Sequence, residues 1–222
     1  MSKELPGLAD AIRTRYAPLA GCCGSLSCGD ALGFASPGPG EVLVDLGCGK
    51  GRDVLKAAGL VGSAGQAIGL DATEEMLAAA RASVPPFLAN VRFVKSDLGC
   101  LDLPDALADV VISNCTINHA PDKAAVYREI RRVLKPGGRF VASDVIAERE
   151  LPLEVRGDPA AWAACYGGAI PEPEYLEAAR SAGLDGLEVL ARSEPYEKGG
   201  VMVHSLTLRG YRGSPPATGG RP

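Results

Sequence analysis

The 222-residue sequence predicts an α/β fold in which an open, mostly parallel sheet carries helices on both faces. Three observations lead to this class. Short apolar runs alternate with segments of helical periodicity between residues 41 and 144. The first apolar run passes into the glycine-rich turn DLGCGKG. Polar residues follow several of the runs, at the positions where sheets of this class bind their ligands.

The N-terminal part of the chain is predicted to consist of one helix and one loop. Residues 3–20 have apolar residues at helical spacing, and residues 21–40 are rich in Gly, Ser and Pro. We therefore treat residues 1–40 as an N-terminal helix followed by a cysteine-rich loop.

From residue 41 onward, strands and helices are predicted to alternate. The predicted strands are Val42–Leu46, Ala67–Leu70, Val91–Val94, Val110–Ser113 and Arg139–Asp144, and the predicted helices are Arg52–Gly59, Thr73–Ser83 and Ala124–Leu134. Thr73 is expected to cap its helix. The Pro136-Gly137-Gly138 turn is expected to end the last of these helices.

After Asp144 the alternation stops. Residues 145–170 contain no predicted strand and are interpreted as a lid segment. A helix over residues 171–182, a strand at Leu187–Leu190 and a last strand at Val201–Tyr211 complete the main domain. That domain is predicted to span residues 41–212, and residues 213–222 are predicted to be a disordered tail.

Composition and charge narrow the classes of function. A formal net charge of −4 and a pI of about 5.3 do not predict a nucleic-acid partner. No apolar run is long enough to span a bilayer, and the first residues lack the apolar core of a signal peptide. We therefore expect a cytoplasmic monomer with no membrane partner and a small-molecule substrate. In that compartment the seven cysteines are expected to be thiols, with Cys48 and Cys100 as small core residues.

The glycine-rich turn predicts a nucleotide-like ligand. Its glycines at 47, 49 and 51 let the backbone approach a ligand closely, and no Gly-Lys-Ser/Thr follows to make a phosphate loop. The second strand ends at Asp71, at the distance of about 20 residues expected for a carboxylate that binds ribose hydroxyls. A nucleotide-dependent dehydrogenase is the competing interpretation, but its turn would read GxGxxG.

Five stretches resemble the class I S-adenosylmethionine-dependent methyltransferases: VLVDLGCGKG, AIGLDATEEML, VRFVKSDL, DVVISN and RVLKPGGRFVASD. The resemblance implies a Rossmann-like sheet of seven strands whose last strand is antiparallel. It also implies S-adenosylmethionine as cofactor. The cofactor-binding residues that it implies are Asp45, Gly47, Cys48, Gly49, Gly51, Arg52, Asp71, Ala72, Thr73, Met76, Asp97, Leu98 and Asn114.

Two cysteines stand where the substrate is expected. Cys115 follows the fourth strand, and Cys165 comes 165 − 115 = 50 residues later. Their surroundings, SNCTINHAPDK and LPLEVRGDPAAWAACYGGA, resemble the arsenite methyltransferases, as does the last strand in EKGGVMVHSLTLRGYR. This resemblance implies that Cys115 and Cys165 bind trivalent arsenic, a soft centre that selects thiolates. Cys165 is then expected to travel with the lid to meet Cys115.

The third arsenic ligand departs from the family pattern. Phe34, in Leu32-Gly33-Phe34, stands where the resemblance leads us to expect a cysteine. The candidates for a third ligand, or for redox thiols, are Cys22, Cys23 and Cys28. A thiol reductant, thioredoxin or glutathione, is the expected co-substrate, and thioredoxin the expected protein partner.

Three alternatives stay open from the sequence. The chain is an arsenite methyltransferase, a methyltransferase for another small molecule, or a non-catalytic thiol protein that binds arsenic or a soft metal. His119 is interpreted as a loop residue at a helix entry rather than a substrate contact. Trp162, Tyr166 and Tyr175 either line the substrate pocket or belong to the core of the lid, and the second interpretation is preferred.

Overall fold

The centre of the structure, a computed structural model, is one sheet of eight strands. Residues 5–21 and 29–214 are described; the three N-terminal candidate thiols and all but the first two residues of the predicted tail lie outside them. The strands are β1 (Val42–Leu46), β2 (Gln66–Asp71), β3 (Val91–Lys95), β4 (Ala108–Asn114), β5 (Leu134–Ala147), β6 (Asp185–Arg192), β7 (Tyr196–Lys198) and β8 (Val201–Tyr211).

The strand order is β3-β2-β1-β4-β5-β8-β6, and β7 pairs with β8. Strands β1 to β5 are parallel, whereas β8 is antiparallel to both β5 and β6. The chain moves outward from β1 to β3 and then returns to the other side of β1 as β4. The carboxyl ends of β1 and β4 therefore flank the switch point, where sheets of this class bind ligands.

Helices cover both faces of the sheet. They are α1 (Leu8–Tyr16), α2 (Ala31–Ala35), α3 (Arg52–Val61), α4 (Glu74–Ala82), α5 (Lys123–Val133), α6 (Leu153–Arg156), α7 (Pro159–Ala163) and α8 (Glu172–Ser181). The alternation of side chains along β1 separates two cores. Val44 packs with residues of α5 and α8, and Leu43 packs with residues of α2 and α3. None of the helices in the described part of the chain is both long and apolar enough to cross a membrane.

The predicted fold class is confirmed, and the bounds of β1 and β8 are those predicted. The sheet has eight strands rather than seven, because a hairpin through Gly199 and Gly200 returns β7 onto β8. Both glycines have positive φ, at 61° and 79°. Strand β7 was missed because three residues are too few to show periodicity.

Three further predictions were wrong. The loop predicted over residues 21–40 contains α2, whose start is capped by the Asp30 carboxylate accepting from Gly33 N at 3.0 Å. Thr73 occupies the N-cap of α4, but its side chain makes no capping hydrogen bond. Strand β5 continues to Ala147, so the segment of residues 145–170 begins in the sheet before it forms α6 and α7.

Candidate functional site

A cleft of about 1510 Å³ lies at the carboxyl ends of the central strands and is lined in part by α1. Twelve of the thirteen expected cofactor residues line it: Asp45, Gly47, Cys48, Gly49, Arg52, Asp71, Ala72, Thr73, Met76, Asp97, Leu98 and Asn114. The exception is Gly51. Residues from four separate strand ends therefore meet in one site.

The backbone of the turn after β1 favours glycine at two positions, because φ is 69° at Gly47 and 52° at Gly49. A Cβ on Gly47 would also collide with the Thr116 side chain, whereas a Cβ on Gly49 would have no atom within 4 Å. Gly51 does not line the cleft: it is the N-cap of α3 with φ 74°, and a Cβ there would lie 2.5 Å from the Phe93 ring. Its conformation and its packing explain this glycine without a ligand.

Asp71 is held at the end of β2 by two backbone donors. Thr73 N donates to Oδ1 at 2.8 Å, and Gly49 N donates to Oδ2 at 2.9 Å. Burial raises the pKa of the Asp71 carboxyl, and these backbone hydrogen bonds oppose the rise. The carboxylate is thus fixed across the glycine turn, and each of its oxygens can accept a further hydrogen bond.

The inner end of the cleft is acidic. Asp45 is buried at the end of β1, and its pKa is raised by burial and by the nearby charges of Asp53 and Asp71. Asn114, at the end of β4, donates from Nδ2 to Asp53 Oδ2 at 3.2 Å and accepts from Ala31 N at 3.3 Å. Clustered carboxyl groups in a sheltered cleft attract a cationic ligand.

The two expected arsenic ligands lie next to each other. The Sγ of Cys165 is 3.6 Å from the backbone oxygen of Cys115. Both residues have a left-handed backbone, with φ 55° at Cys115 and 71° at Cys165. Cys115 also lines the cleft, whereas Cys165 does not. No long movement is needed to bring them together, in contrast to the expectation that Cys165 must travel.

The sulfur of Cys165 is contacted by two side chains whose role the sequence did not reveal. The hydroxyl of Tyr16 lies 3.2 Å from it and Nε2 of His119 lies 3.4 Å from it. The two rings pack edge to face, with centroids 5.6 Å apart. Burial, above all, raises the pKa of the Cys165 thiol, and burial lowers the pKa of His119 to about 4. His119 is therefore a half-buried residue that lines the cleft and contacts the sulfur of Cys165.

The four described cysteines are of two kinds. Cys115 takes part in a disulfide bond, in contrast to the expectation that all the cysteines are thiols, whereas Cys48, Cys100 and Cys165 are free thiols. Cys48 is buried as expected, and burial raises its pKa strongly. Cys100 was expected in the core but is exposed and lines the cleft.

The part of the site contributed by α1 was missed at the sequence level. Leu8, Ile12, Arg13 and Tyr16 from this helix line the cleft. The helical spacing of the apolar residues predicted only that one face of α1 packs against the rest of the protein. Asp53 was also missed. It lies two residues after Gly51, in the first turn of α3, where an acidic side chain next to the glycine turn could have indicated a residue of the cleft.

Comparisons with known proteins agree with this geometry. A protein-family model described as a methyltransferase domain matches residues 37–194. The chain is 39% identical over 173 residues to an arsenite methyltransferase of Halobacterium salinarum, which covers 78% of this chain and 44% of that protein. It is 43% identical over 150 residues to an arsenite methyltransferase of Aquipseudomonas alcaligenes, covering 64% of this chain and 43% of that one.

A solved structure is also similar. The crystal structure of an arsenic(III) S-adenosylmethionine methyltransferase from Chlamydomonas reinhardtii superimposes with a TM-score of 0.74 and 31% identity. The match covers 93% of this chain and 74% of that chain. Against the two curated relatives above, the chain spans less than half of their length, at 44% and 43%.

Proposed function

Because this chain belongs to the methyltransferase domain family and, within it, to the arsenite methyltransferases, we propose that it transfers methyl groups from S-adenosylmethionine to thiolate-bound trivalent arsenic. The observation that carries the proposal is the position of Cys165, whose Sγ lies 3.6 Å from the backbone of Cys115 at the wall of the cleft. Once Cys115 is reduced, these two neighbouring cysteines provide the thiolate ligands that a soft centre selects.

The cleft fits S-adenosylmethionine in shape and in charge. The turn at Gly47 and Gly49 offers backbone to the methionine part, and Asp71 is placed to accept hydrogen bonds from the ribose hydroxyls. Asp97 and Leu98 would meet the adenine. The carboxyl of Asp45 would lie near the positive charge of the ligand. When bound, S-adenosylmethionine supplies a methyl group carried on a positively charged sulfur.

The substrate is arsenic in its trivalent state. Held by thiolates, it keeps a lone pair of electrons and has no proton to lose, so the chain need not provide a general base. The work left to the protein is to hold and orient the substrate. Cys115 and Cys165 would supply two ligands. We propose that the third comes from Cys22, Cys23 or Cys28, which lie outside the described residues.

A thiol reductant is proposed as co-substrate. Cys115 takes part in a disulfide bond in the structure, and a disulfide sulfur is not a thiolate ligand. Reduction of that bond consumes two electrons and two protons, which two small thiols or one dithiol supply while becoming a disulfide themselves. Glutathione and thioredoxin are the expected representatives of these two classes. We propose that the protein acts as a cytoplasmic monomer.

The proposed function is tested by supplying all three reactants. Purified protein is incubated with arsenite, S-adenosylmethionine and a thiol, and the arsenic species are separated and identified by mass. We expect methylated arsenic from the wild-type protein and at least a hundredfold slower turnover from Cys115→Ser and Cys165→Ser, because a hydroxyl is a hard ligand.

S-adenosylmethionine binding provides the control, since neither serine substitution changes the glycine turn or Asp71. Calorimetry should give wild-type affinity for both variants. Full arsenite turnover by either variant would exclude the thiolate mechanism, and the same cleft would then serve another small molecule.

A further inference from the structure

We propose that Tyr16 and His119 are positioning residues for Cys165, and that they hold its sulfur beside Cys115 so that both cysteines bind the same arsenic atom. We call the contacts of Tyr16 and His119 with Cys165 Sγ the thiol clamp. The inference rests on the proposed function, because it assigns a role to residues around one of the two described arsenic ligands.

The clamp is formed by side chains from distant parts of the chain. Tyr16 ends α1, and His119 belongs to the short 3-10 helix Ile117–His119 that follows β4. Their polar atoms lie 3.2 Å and 3.4 Å from Cys165 Sγ. A cysteine side chain has a single χ1 torsion with three staggered positions, so contacts from two directions are enough to select one of them.

The sulfur also has apolar neighbours and one backbone contact. Cys165 packs in a small cluster with Val145, Leu151 and Val203, and its Sγ lies 3.6 Å from the Cys115 carbonyl oxygen. Tyr16 and His119 line the cleft, whereas Cys165 does not. The thiol clamp thus connects the sulfur of Cys165 to side chains that line the cleft.

Hydrogen-bond chemistry explains how the clamp remains useful when arsenic binds. A thiol donates one hydrogen bond, and its sulfur accepts others weakly. A sulfur bound to arsenic has lost its proton and can only accept. The Tyr16 hydroxyl is able to donate in both states, so it can hold the sulfur before and after the ligand is bound.

Four variants separate positioning from packing. Tyr16→Phe removes only the hydroxyl, and His119→Leu removes the polar ring atoms. His119→Gln restores a hydrogen-bonding group near the position of Nε2. Tyr196→Phe is the matched control, because this tyrosine lies in β7 and its hydroxyl contacts only Ser205, at 3.5 Å, among its described contacts.

The first measurement needs neither substrate nor cofactor. After full reduction, the rate at which iodoacetamide labels Cys165 is followed by peptide mass spectrometry. Loss of one hydrogen bond of about 1 kcal/mol corresponds to about fivefold, so we expect Tyr16→Phe and His119→Leu to label about fivefold faster than wild type. Tyr196→Phe should label at the wild-type rate.

The second measurement is the KM for arsenite at saturating S-adenosylmethionine. A positioning role predicts a KM about fivefold higher in Tyr16→Phe and His119→Leu, with partial recovery in His119→Gln and little change in kcat. A role in shielding alone predicts faster labelling with an unchanged or lower KM, and that result would overturn the proposal. The melting temperatures should stay within the range of the control.

Labelling of Cys165 at the wild-type rate in both Tyr16→Phe and His119→Leu would also overturn the proposed positioning role. The proposed function and the positioning role are refuted by different results. If the wild-type protein leaves arsenite unmethylated, the proposed function is refuted together with the role in arsenic binding. A wild-type enzyme that methylates arsenite with a KM unaffected by these variants refutes the positioning role alone.

Discussion

Two of the strained backbone positions in the described part of the chain are the cysteines proposed to bind arsenic. The residues other than glycine with positive φ in the described ranges are Ser36, Ala106, Cys115 and Cys165. A left-handed backbone at a side-chain-bearing residue costs on the order of 1–3 kcal/mol. Strain of this kind is often found at functional sites, so at Cys115 and Cys165 it supports the proposed ligand role.

Asp71 is the residue on which cofactor affinity should depend most. We expect Asp71→Ala to weaken S-adenosylmethionine binding by about 1–3 kcal/mol, the usual scale for hydrogen bonds to a charged group. Calorimetry on the purified variant measures this. Asp185→Ala, at the exposed start of β6, is the control for the change in charge. Unchanged affinity in Asp71→Ala would remove this carboxylate from the site.

The N-terminal cysteines should act as alternates. Single Cys→Ser changes at Cys22, Cys23 or Cys28 are expected to slow arsenite methylation only mildly, and the triple change severely. A monomethylated arsenical has one ligand position fewer, so it should tolerate the triple change better than arsenite does. Turnover of both substrates by each variant decides this. Equal loss on both substrates would contradict a role as third ligand.

At the scale of elements, the segment of residues 145–170 is held by specific contacts. Buried Asn118 donates from Nδ2 to the Val145 carbonyl at 2.5 Å and to the Cys165 carbonyl at 3.4 Å. Helix α7 is capped by Asp158, whose carboxylate accepts from Ala160 N at 2.9 Å. These contacts determine where Cys165 lies, so the geometry of this segment is part of the site.

Gly168 tests how closely that segment is packed. A Cβ at this position would collide with the Asn118 carbonyl and would lie 2.7 Å from the Trp162 ring. We expect Gly168→Ala to destabilise the protein by about 1–3 kcal/mol, since backbone cannot move aside cheaply. Denaturant unfolding measures the change.

Gly59 provides the matched substitution. It lies inside α3, and a Cβ there would have no atom within 4 Å. Gly59→Ala should therefore stabilise by about 0.5–1 kcal/mol through the helix propensity of alanine. Equal changes in the free energy of unfolding for Gly168→Ala and Gly59→Ala would show that the segment near Gly168 accommodates a Cβ atom without cost.

At the scale of the whole molecule, a buried polar group joins the sheet to α8. Asp144 is fully buried and accepts from the Tyr175 hydroxyl at 2.7 Å. Lys123 is also buried, with Nζ 5.4 Å from the centre of the Trp162 ring. Burial raises the pKa of Asp144 to about 7 and lowers the pKa of Lys123 to about 8.

These shifts predict how stability depends on pH. The folded state keeps a proton on Asp144 up to about pH 7, whereas the unfolded chain releases it near the ordinary value of 3.8. Between these values the folded state binds more protons, so the contribution of Asp144 to stability falls as pH rises. Lys123 acts in the opposite direction above pH 8, because there the unfolded chain binds more protons.

Asp144→Asn should remove the decrease in stability with rising pH that Asp144 causes. The unfolding free energy of the variant relative to wild type should rise by roughly 2–4 kcal/mol between about pH 4 and pH 7. Urea unfolding across this range measures the difference, with Asp185→Asn as surface control. A difference that does not change with pH would mean that Asp144 is ionised throughout.

The sequence alone determined the local parts of this protein. The strands read from apolar runs and the glycine turn were correct because their signals lie within a few neighbouring residues. The arsenic-ligand residues Cys115 and Cys165 were named from short motifs, and their role stays a proposal. One local detail, the side-chain cap at Thr73, did not follow from the residue type alone.

Only the tertiary structure decided what surrounds the sulfur of Cys165. Tyr16 lies 149 residues from it in sequence and His119 lies 46 residues from it. Neither contact leaves a periodic or motif signal, because each depends on how α1 and the turn after β4 pack against the segment that carries α7. The same reason explains Cys100, whose exposure in the cleft follows from the path of its loop and not from its chemistry.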